Sequence, residues 1–372
     1  MIKADPDIAM QDGATALFIA SQYGRLEMVK ILLRHAKAPE KLASGNVSPV
    51  FIAAQNGHTA VLTALLGHGL SPMGVMDGAI GPLHVAAQNG HAEIVRMLLE
   101  QGVPVDGASS QGVTALQLAV ETGQLDAVNL LLAQGANPQA IASDGSNALH
   151  LAAQNGHHLV VARLLELLAD AAVALPDGST ALHLAARYGH ETVVELLLPR
   201  IDANLATTDG MTALHMAARM GHHATATLLL AHTAANVARN DLATPLHLAA
   251  EGGHTETIRL LLAHTAADAI MARGATPLHL AVQRGHGAAV TALLEKSRAD
   301  IAADDGLTPL HLACATGRGQ IVRDLLRHGA DPMCLTSTGM SALDIARACE
   351  HDEVCTILAD RDGAHTVTAG VH

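Results

Sequence analysis

Along this chain a short apolar phrase returns at a nearly constant interval. Anchored on one apolar position, it falls at Leu17, Val50, Leu83, Leu116, Leu149, Leu182, Leu214, Leu246, Leu278, Leu310 and Leu343. The step is 33 residues for the first five intervals, 32 for the next four and 33 for the last. Within a copy, Leu246, Ala249 and Ala250 follow i, i+3, i+4 spacing and share one helical face. Three residues after the anchor all eleven copies carry Ala, and fifteen after it all eleven carry Leu. Seven after it ten carry Gly, Glu350 being the exception.

Each column predicts a boundary. Thr244, Thr276 and Thr308 stand at the N-cap, where a hydroxyl satisfies free backbone N–H groups. Pro245, Pro277 and Pro309 follow at the first helical position, which tolerates proline. Gly253 ends a short helix in the left-handed conformation. A second helix buries Ile258, Leu261 and Leu262, and a polar stretch such as Ala303–Gly306 then makes a tight turn. One such unit cannot cover its own apolar stripe, but a stack of neighbours can. The pattern predicts an all-α solenoid of stacked helix-turn-helix units, the two helices of each antiparallel, with short β-hairpin-like turns along one edge. Residues 12–360 make eleven repeats, residues 1–11 a lead-in or the close of a preceding repeat, and residues 361–372 a disordered tail.

Departures from the repeat carry their own expectations. Phe18, Phe51, Gln117 and Asp344 replace the His that follows most anchors. Gly45 and Gly78 stand one residue early in their turns, and Leu242 replaces a turn Gly. Repeats five to nine lack the Gly that closes the second helix at Gly69, Gly102, Gly135 and Gly329. The 32-residue spacing falls largely in the same stretch, so a shorter linker is expected there. Repeat eleven, with Asp344, Arg347 and Glu350, reads as a polar cap.

Composition narrows the picture. Hydrophobic residues make up 49% of the chain but aromatics only 1%, so the core is built from Ala, Leu, Val and Ile in closely approaching helices. A net charge of −13 speaks against nucleic acid and against an anionic membrane surface. The four cysteines form no CxxC pair and suit a reducing compartment. No signal peptide and no apolar run of membrane length is visible. The expected setting is cytoplasmic, without direct membrane insertion.

The pattern DGxTxLHxAAxxGHxxxVxxLL, clearest at Asp177–Leu198, Asp209–Leu230 and Asp305–Leu326, resembles the ankyrin repeat over residues 12–360. That resemblance implies a scaffold or adaptor that binds a partner protein through a concave groove and its turn tips, with no cofactor and no activity of its own. In that family the two residues before the helix-ending Gly face the groove. Here the column holds Tyr23, Arg187, Tyr188, Arg219, Met220, Glu251 and Arg284, including both tyrosines of the chain. Arg187, Tyr188, Arg219 and Met220 fall on adjacent repeats and are residue types enriched at interface cores. The turn tips add Asp209, Asn240, Asp241, Arg273, Asp304 and Asp305, a rim whose acidity suits a basic partner.

Twenty-four histidines invite a metal or catalytic reading. Fourteen simply recur with the repeat; the seven that follow an anchor Leu sit where they can bond the adjoining turn. The doublets His157–His158 and His222–His223 are the best metal candidates, but adjacent helical residues diverge and no zinc spacing accompanies them. No HExxH, GxSxG or GxxxxGK[ST] occurs, so neither a metal site nor an enzyme is expected. The leading reading is a monomeric adaptor. One alternative is the repeat segment of a larger channel, acyltransferase or bacterial effector; another is a metal-binding or hydrolytic protein using its surface His.

Overall fold

Each repeat begins with a residue in extended backbone conformation that closes off the start of a helix. In the computed structural model, which describes residues 5–43, 47–73, 80–168 and 170–368 (side chains as far as Asp360), these N-caps include Thr15, Ser48, Thr114, Asn147, Thr212, Thr308 and Ser341. Pro49, Pro82, Pro245, Pro277 and Pro309 take the first helical turn. The Gly seven residues past the anchor is left-handed throughout, from Gly24 at φ 67° to Gly317 at φ 66°. In repeat eleven Glu350 adopts the same conformation at φ 58°.

The chain divides into two compact units, Met1–Pro176 and Asp177–His372. The first holds helix pairs from Ala16–Gln22 and Leu26–Leu33 to Ala148–Gln154 and His158–Leu167. The second holds pairs from Ala181–Tyr188 and Glu191–Leu197 to Ala342–Ala348 and Asp352–Thr368. Within each unit first helices pack on first helices of the next repeat, and second on second, as the stacked solenoid requires. The core is aliphatic: Leu62, Leu98, Leu131, Leu197 and Leu214 are fully buried. Among the described residues there is no sheet, only isolated bridges such as Ala108 with Thr114 and Leu335 with Ser341. No helix of the described residues is long and apolar enough to cross a membrane.

The turns are joined to one another. Within unit two the backbone N–H of Thr208, Asn240, Ala272, Asp304 and Ser337 donates to the carbonyl of Asp177, Asp209, Asp241, Arg273 and Asp305 of the preceding turn, at 2.8–3.2 Å. Gln111 and Ser143 make the same link in unit one, at 2.9 Å. This ribbon satisfies backbone groups that would otherwise project unpaired from the edge.

The second helix closes in two ways. In repeats two, three, four and ten the Leu fifteen residues past the anchor accepts from the fifth residue beyond it: Leu70 to Leu65, Val103 to Leu98, Ala136 to Leu131, Ala330 to Leu325. A left-handed Gly, at φ 81–92°, makes that wider closure possible. In repeats six to nine the donor is only the fourth residue on: Ile201 to Leu197, Thr233 to Leu229, Thr265 to Leu261, Ser297 to Leu293. The closure stays helical, needs no Gly and uses one residue fewer. Every 32-residue step has this closure, but repeats one and five close the same way, Ala36 to Leu32 and Leu168 to Leu164, and keep 33 residues.

In repeat one, positions covered elsewhere are open. Met28 is 52% exposed, whereas Val61, Ile94, Ala127 and Val160 in the same column of unit one are at most 1% exposed. With Ile8, Met10, Ile19 and Tyr23, Met28 lines an apolar hollow of about 1220 Å³. At the other end, backbone helix runs through Thr368, into the segment read from sequence as a disordered tail; Asp352 and Glu353 in its first turn favour it. Residues 369–372, like Gly45 and Gly78 with their early turns, lie outside the described residues.

Leu242 replaces the usual turn Gly and pays for it with φ 65°, a conformation unfavourable to a side chain with Cβ. Its side chain is exposed and contributes little packing. Leu242→Gly is expected to raise stability by about 0.5–1 kcal/mol in urea unfolding. An unchanged or lowered midpoint would show that the turn is not strained.

Candidate functional site

Histidine is the residue type with most apparent chemistry here, and its geometry is structural. The buried His that follows the anchor reaches in two directions. Nδ1 of His84, His183, His215, His247, His279 and His311 accepts the backbone N–H of its own N-cap residue at 3.1–3.2 Å. Nε2 lies 3.0–3.3 Å from the carbonyl of Val113, Met211, Ala243, Ala275, Leu307 and Cys334 respectively, each in the next turn. A nitrogen that accepts an amide N–H cannot carry a proton, so these rings are neutral with hydrogen on Nε2. The expected bond to the adjoining turn is present.

The departures fit the same logic. Gln117 reproduces the bridge with its amide: Oε1 accepts from the Thr114 N–H at 2.8 Å, and Nε2 donates to Ala140 and Ser146 carbonyls at 3.1 and 3.3 Å. Asp344 accepts from the Ser341 N–H at 3.0 Å and its hydroxyl at 2.6 Å, and has no proton to donate onward. Phe18 replaces the bridge with apolar packing against Ala14 and Ile52.

The second recurrent His reaches backward. Nε2 of His58, His91, His157, His222, His254 and His286 lies 2.9–3.1 Å from the carbonyl of Gln22, Gln55, Glu121, Arg187, Arg219 and Glu251 in the preceding repeat. Each ring rests on the preceding repeat's helix-ending Gly; a Cβ at Gly189 or Gly221 would meet the ring of His222 or His254 at 2.5 or 2.4 Å. The column's recurrence is visible in the sequence, but its direction is not. His157 and His222, the metal candidates, thus hold carbonyls. Among the described residues no three His, Cys, Asp or Glu side chains group to hold a metal. Burial, aided by Cys355, pushes the Cys314 thiol up to about 12, far from a reactive thiolate at neutral pH.

The groove column is different: its side chains are open to solvent. Arg187, Arg219 and Met220 line one cleft of about 340 Å³ in unit two, together with Asp177, Thr207, Thr208, Asp209, Met211 and Met216. Tyr188 does not line it but lies beside it, its ring 5.8 Å below the Arg187 guanidinium and 6.3 Å from the His190 ring. The expected patch of four is therefore three residues in the cleft with Tyr188 supporting one of them. Asp177 and Met216 were not picked out from the sequence; Asp177 belongs to the turn ribbon, whose tips sit at the cleft wall.

The other candidates separate. Tyr23, 63% exposed, lines the apolar hollow of repeat one. Glu251 and Arg284 are paired with each other across adjacent repeats. Asp241 is clamped by Arg239 at 2.6 Å, which holds its carboxyl below the usual range. Asp209 accepts from the Thr207 hydroxyl and is lowered for that reason. Asp305 accepts from the Leu307 N–H at 3.1 Å, while Asp304 and Arg273 join the ribbon through their backbones. The rim is acidic, but most of its carboxylates serve their own turns.

Models of ankyrin repeats, taken three copies at a time, match residues 1–75, 51–142, 149–241, 235–305 and 297–369. No curated protein matches the chain.

Burial lowers the pKa of the forward-reaching His, to about 4 for His215 and His247 against 6.5 for a free side chain. In the window between those values the unfolded chain binds more protons than the folded one. The stability these rings contribute is complete above about pH 6.5 and is lost as pH falls through about 4, on the order of 3 kcal/mol for each of these two. The urea midpoint should drop steadily from pH 7 to pH 5, and less so in His215→Gln, which copies Gln117. A midpoint flat across that range would contradict the neutral bridge.

Proposed function

The chain belongs to the ankyrin-repeat family, and on that premise we propose that it is a cytoplasmic, non-catalytic adaptor, monomeric by itself, that holds a partner protein in the groove of repeats six and seven. The supporting observation is the convergence of Arg187, Arg219 and Met220 on one open cleft, with Tyr188 alongside. Ankyrin repeats are protein-interaction modules, and this is the part of the groove column where a guanidinium pair, an adaptable thioether and an aromatic ring come together. The rest of the column offers less. Glu251 and Arg284 neutralise each other, and Asn56, Asn89 and Asn155 bond back to their own helices at 2.8–2.9 Å.

The test is affinity capture from a lysate followed by mass spectrometry. The intact protein is compared with a variant carrying Arg187→Ala, Tyr188→Ala, Arg219→Ala and Met220→Ala. All four side chains are exposed, so the fold should persist by circular dichroism. A specific partner should be recovered with the parent and lost with the variant, its affinity weakened by about 2 kcal/mol or more. Equal recovery would remove this cleft as the binding site.

A further inference from the structure

We propose that the cleft of repeats six and seven recognises an acidic protein segment, one that places carboxylates on Arg187 and Arg219 and an apolar side chain against Met220. This rests on the groove reading above and adds to it the chemistry of the partner.

The charged groups of the cleft divide into engaged and unengaged ones. The acids are taken. Asp177 accepts from the N–H and hydroxyl of Ser179 at 2.9 and 3.0 Å, and Asp209 accepts from the Thr207 hydroxyl. The Thr207 hydroxyl is in turn occupied by Asp209 and by the Met211 N–H. The cations are not. Arg239 has Asp241 and Arg284 has Glu251, but among the described residues no carboxylate pairs with Arg187 or Arg219. Arg187 is steadied over the Tyr188 ring, which orients its guanidinium without using its hydrogen bonds. Two planar forks of donors thus face solvent in one cleft, and their best complement is a set of carboxylate oxygens.

Three further features shape the ligand. The fixed carboxylates of Asp177 and Asp209 in the same lining disfavour a compact dianion, so single carboxylates spaced along a chain fit better than a phosphate group. Met216 and Met220 add apolar, adaptable side chains to the same lining, suited to a Leu, Ile or Phe next to the acidic residues. The unpaired guanidiniums are also local. One repeat further on, the column is neutralised by the Glu251–Arg284 pair, so the acidic part of the segment is short. The net charge of −13 suits a basic partner for the molecule as a whole, but it does not describe this cleft, whose unengaged groups are donors.

The test selects from displayed random short peptides on the intact chain, with Arg187→Gln/Arg219→Gln as counter-target. Peptides rich in Asp or Glu with an interspersed large apolar residue should be enriched. Their affinity for the Gln variant should fall by about tenfold or more, while Arg96→Gln, on an exposed second helix, leaves it unchanged. The fall should grow in Arg187→Glu/Arg219→Glu, and that variant should accept the same peptides with Lys in place of Glu. Enrichment of basic or neutral peptides that bind the intact chain but not the variant with alanine at Arg187, Tyr188, Arg219 and Met220 would overturn the acidic partner and leave the groove reading standing. Peptides that bind the four-alanine variant as well as the intact chain would overturn both. Tighter binding of a phosphoserine peptide than of its Glu counterpart would overturn the preference for carboxylates.

Discussion

A neutral imidazole that accepts on one side and donates on the other is the joint on which this stack depends. At His215 the ring is buried, its Nδ1 held by the N–H and hydroxyl of Thr212 and its Nε2 by the Ala243 carbonyl of the next turn. One side chain therefore fixes the start of its own helix and the position of its neighbour. The bond is worth more than a surface one, because losing either end strands buried polar groups. Where the sequence changes, the two roles come apart in an orderly way. Gln117 keeps both, Asp344 keeps only the inward one, and Phe18 gives up both for apolar packing. The second His column returns a contact in the opposite direction, and the turn ribbon joins the edge. From repeat six to repeat nine each repeat is thus tied to the next by three independent sets of hydrogen bonds over an aliphatic core.

That arrangement separates what must be constant from what is at liberty to vary. The ring of His222 lies on Gly189 and bonds the Arg187 carbonyl, so the backbone beneath Arg187 and Tyr188 is held while their side chains stay open to solvent. The same holds for Arg219 under His254. Rigid backbone with open side chains is what a binding surface needs, since less freedom is lost when a partner arrives. The Gly-free, shorter helix closures of repeats six to nine belong to the same unit as the cleft.

Much of the frame was legible in the sequence because its causes are local. An N-cap Thr, a Pro after it and a Gly in the left-handed conformation each act within a few residues, so Thr308, Pro309 and Gly317 announce a helix start and end unaided. The shorter linker was readable as a missing Gly, though not as the change from a fifth-residue to a fourth-residue hydrogen bond. What was not legible depends on residues one repeat away. A recurring His58 or His254 does not say whether its ring faces forward or back. Glu251 and Arg284 read as two groove candidates and prove to be one ion pair. Asp177 and Met216 joined the cleft only once adjacent repeats were in place. Arg187 and Arg219 were visible from the family's register, but that they stay unpaired while their neighbours do not could be learned only from the packed structure.

The bridging imidazole is the feature to measure first. Long-range ¹H–¹⁵N spectra of the histidine side chains, with His215→Gln used to assign the His215 signals, report both the tautomer and the charge of the ring. A ring that carries its proton on Nε2 and stays neutral as the pH is taken down to about 5 is the result this structure predicts. A ring protonated on Nδ1, or one that titrates near the free value of about 6.5, would mean that the joint between repeats is not made by this hydrogen bond.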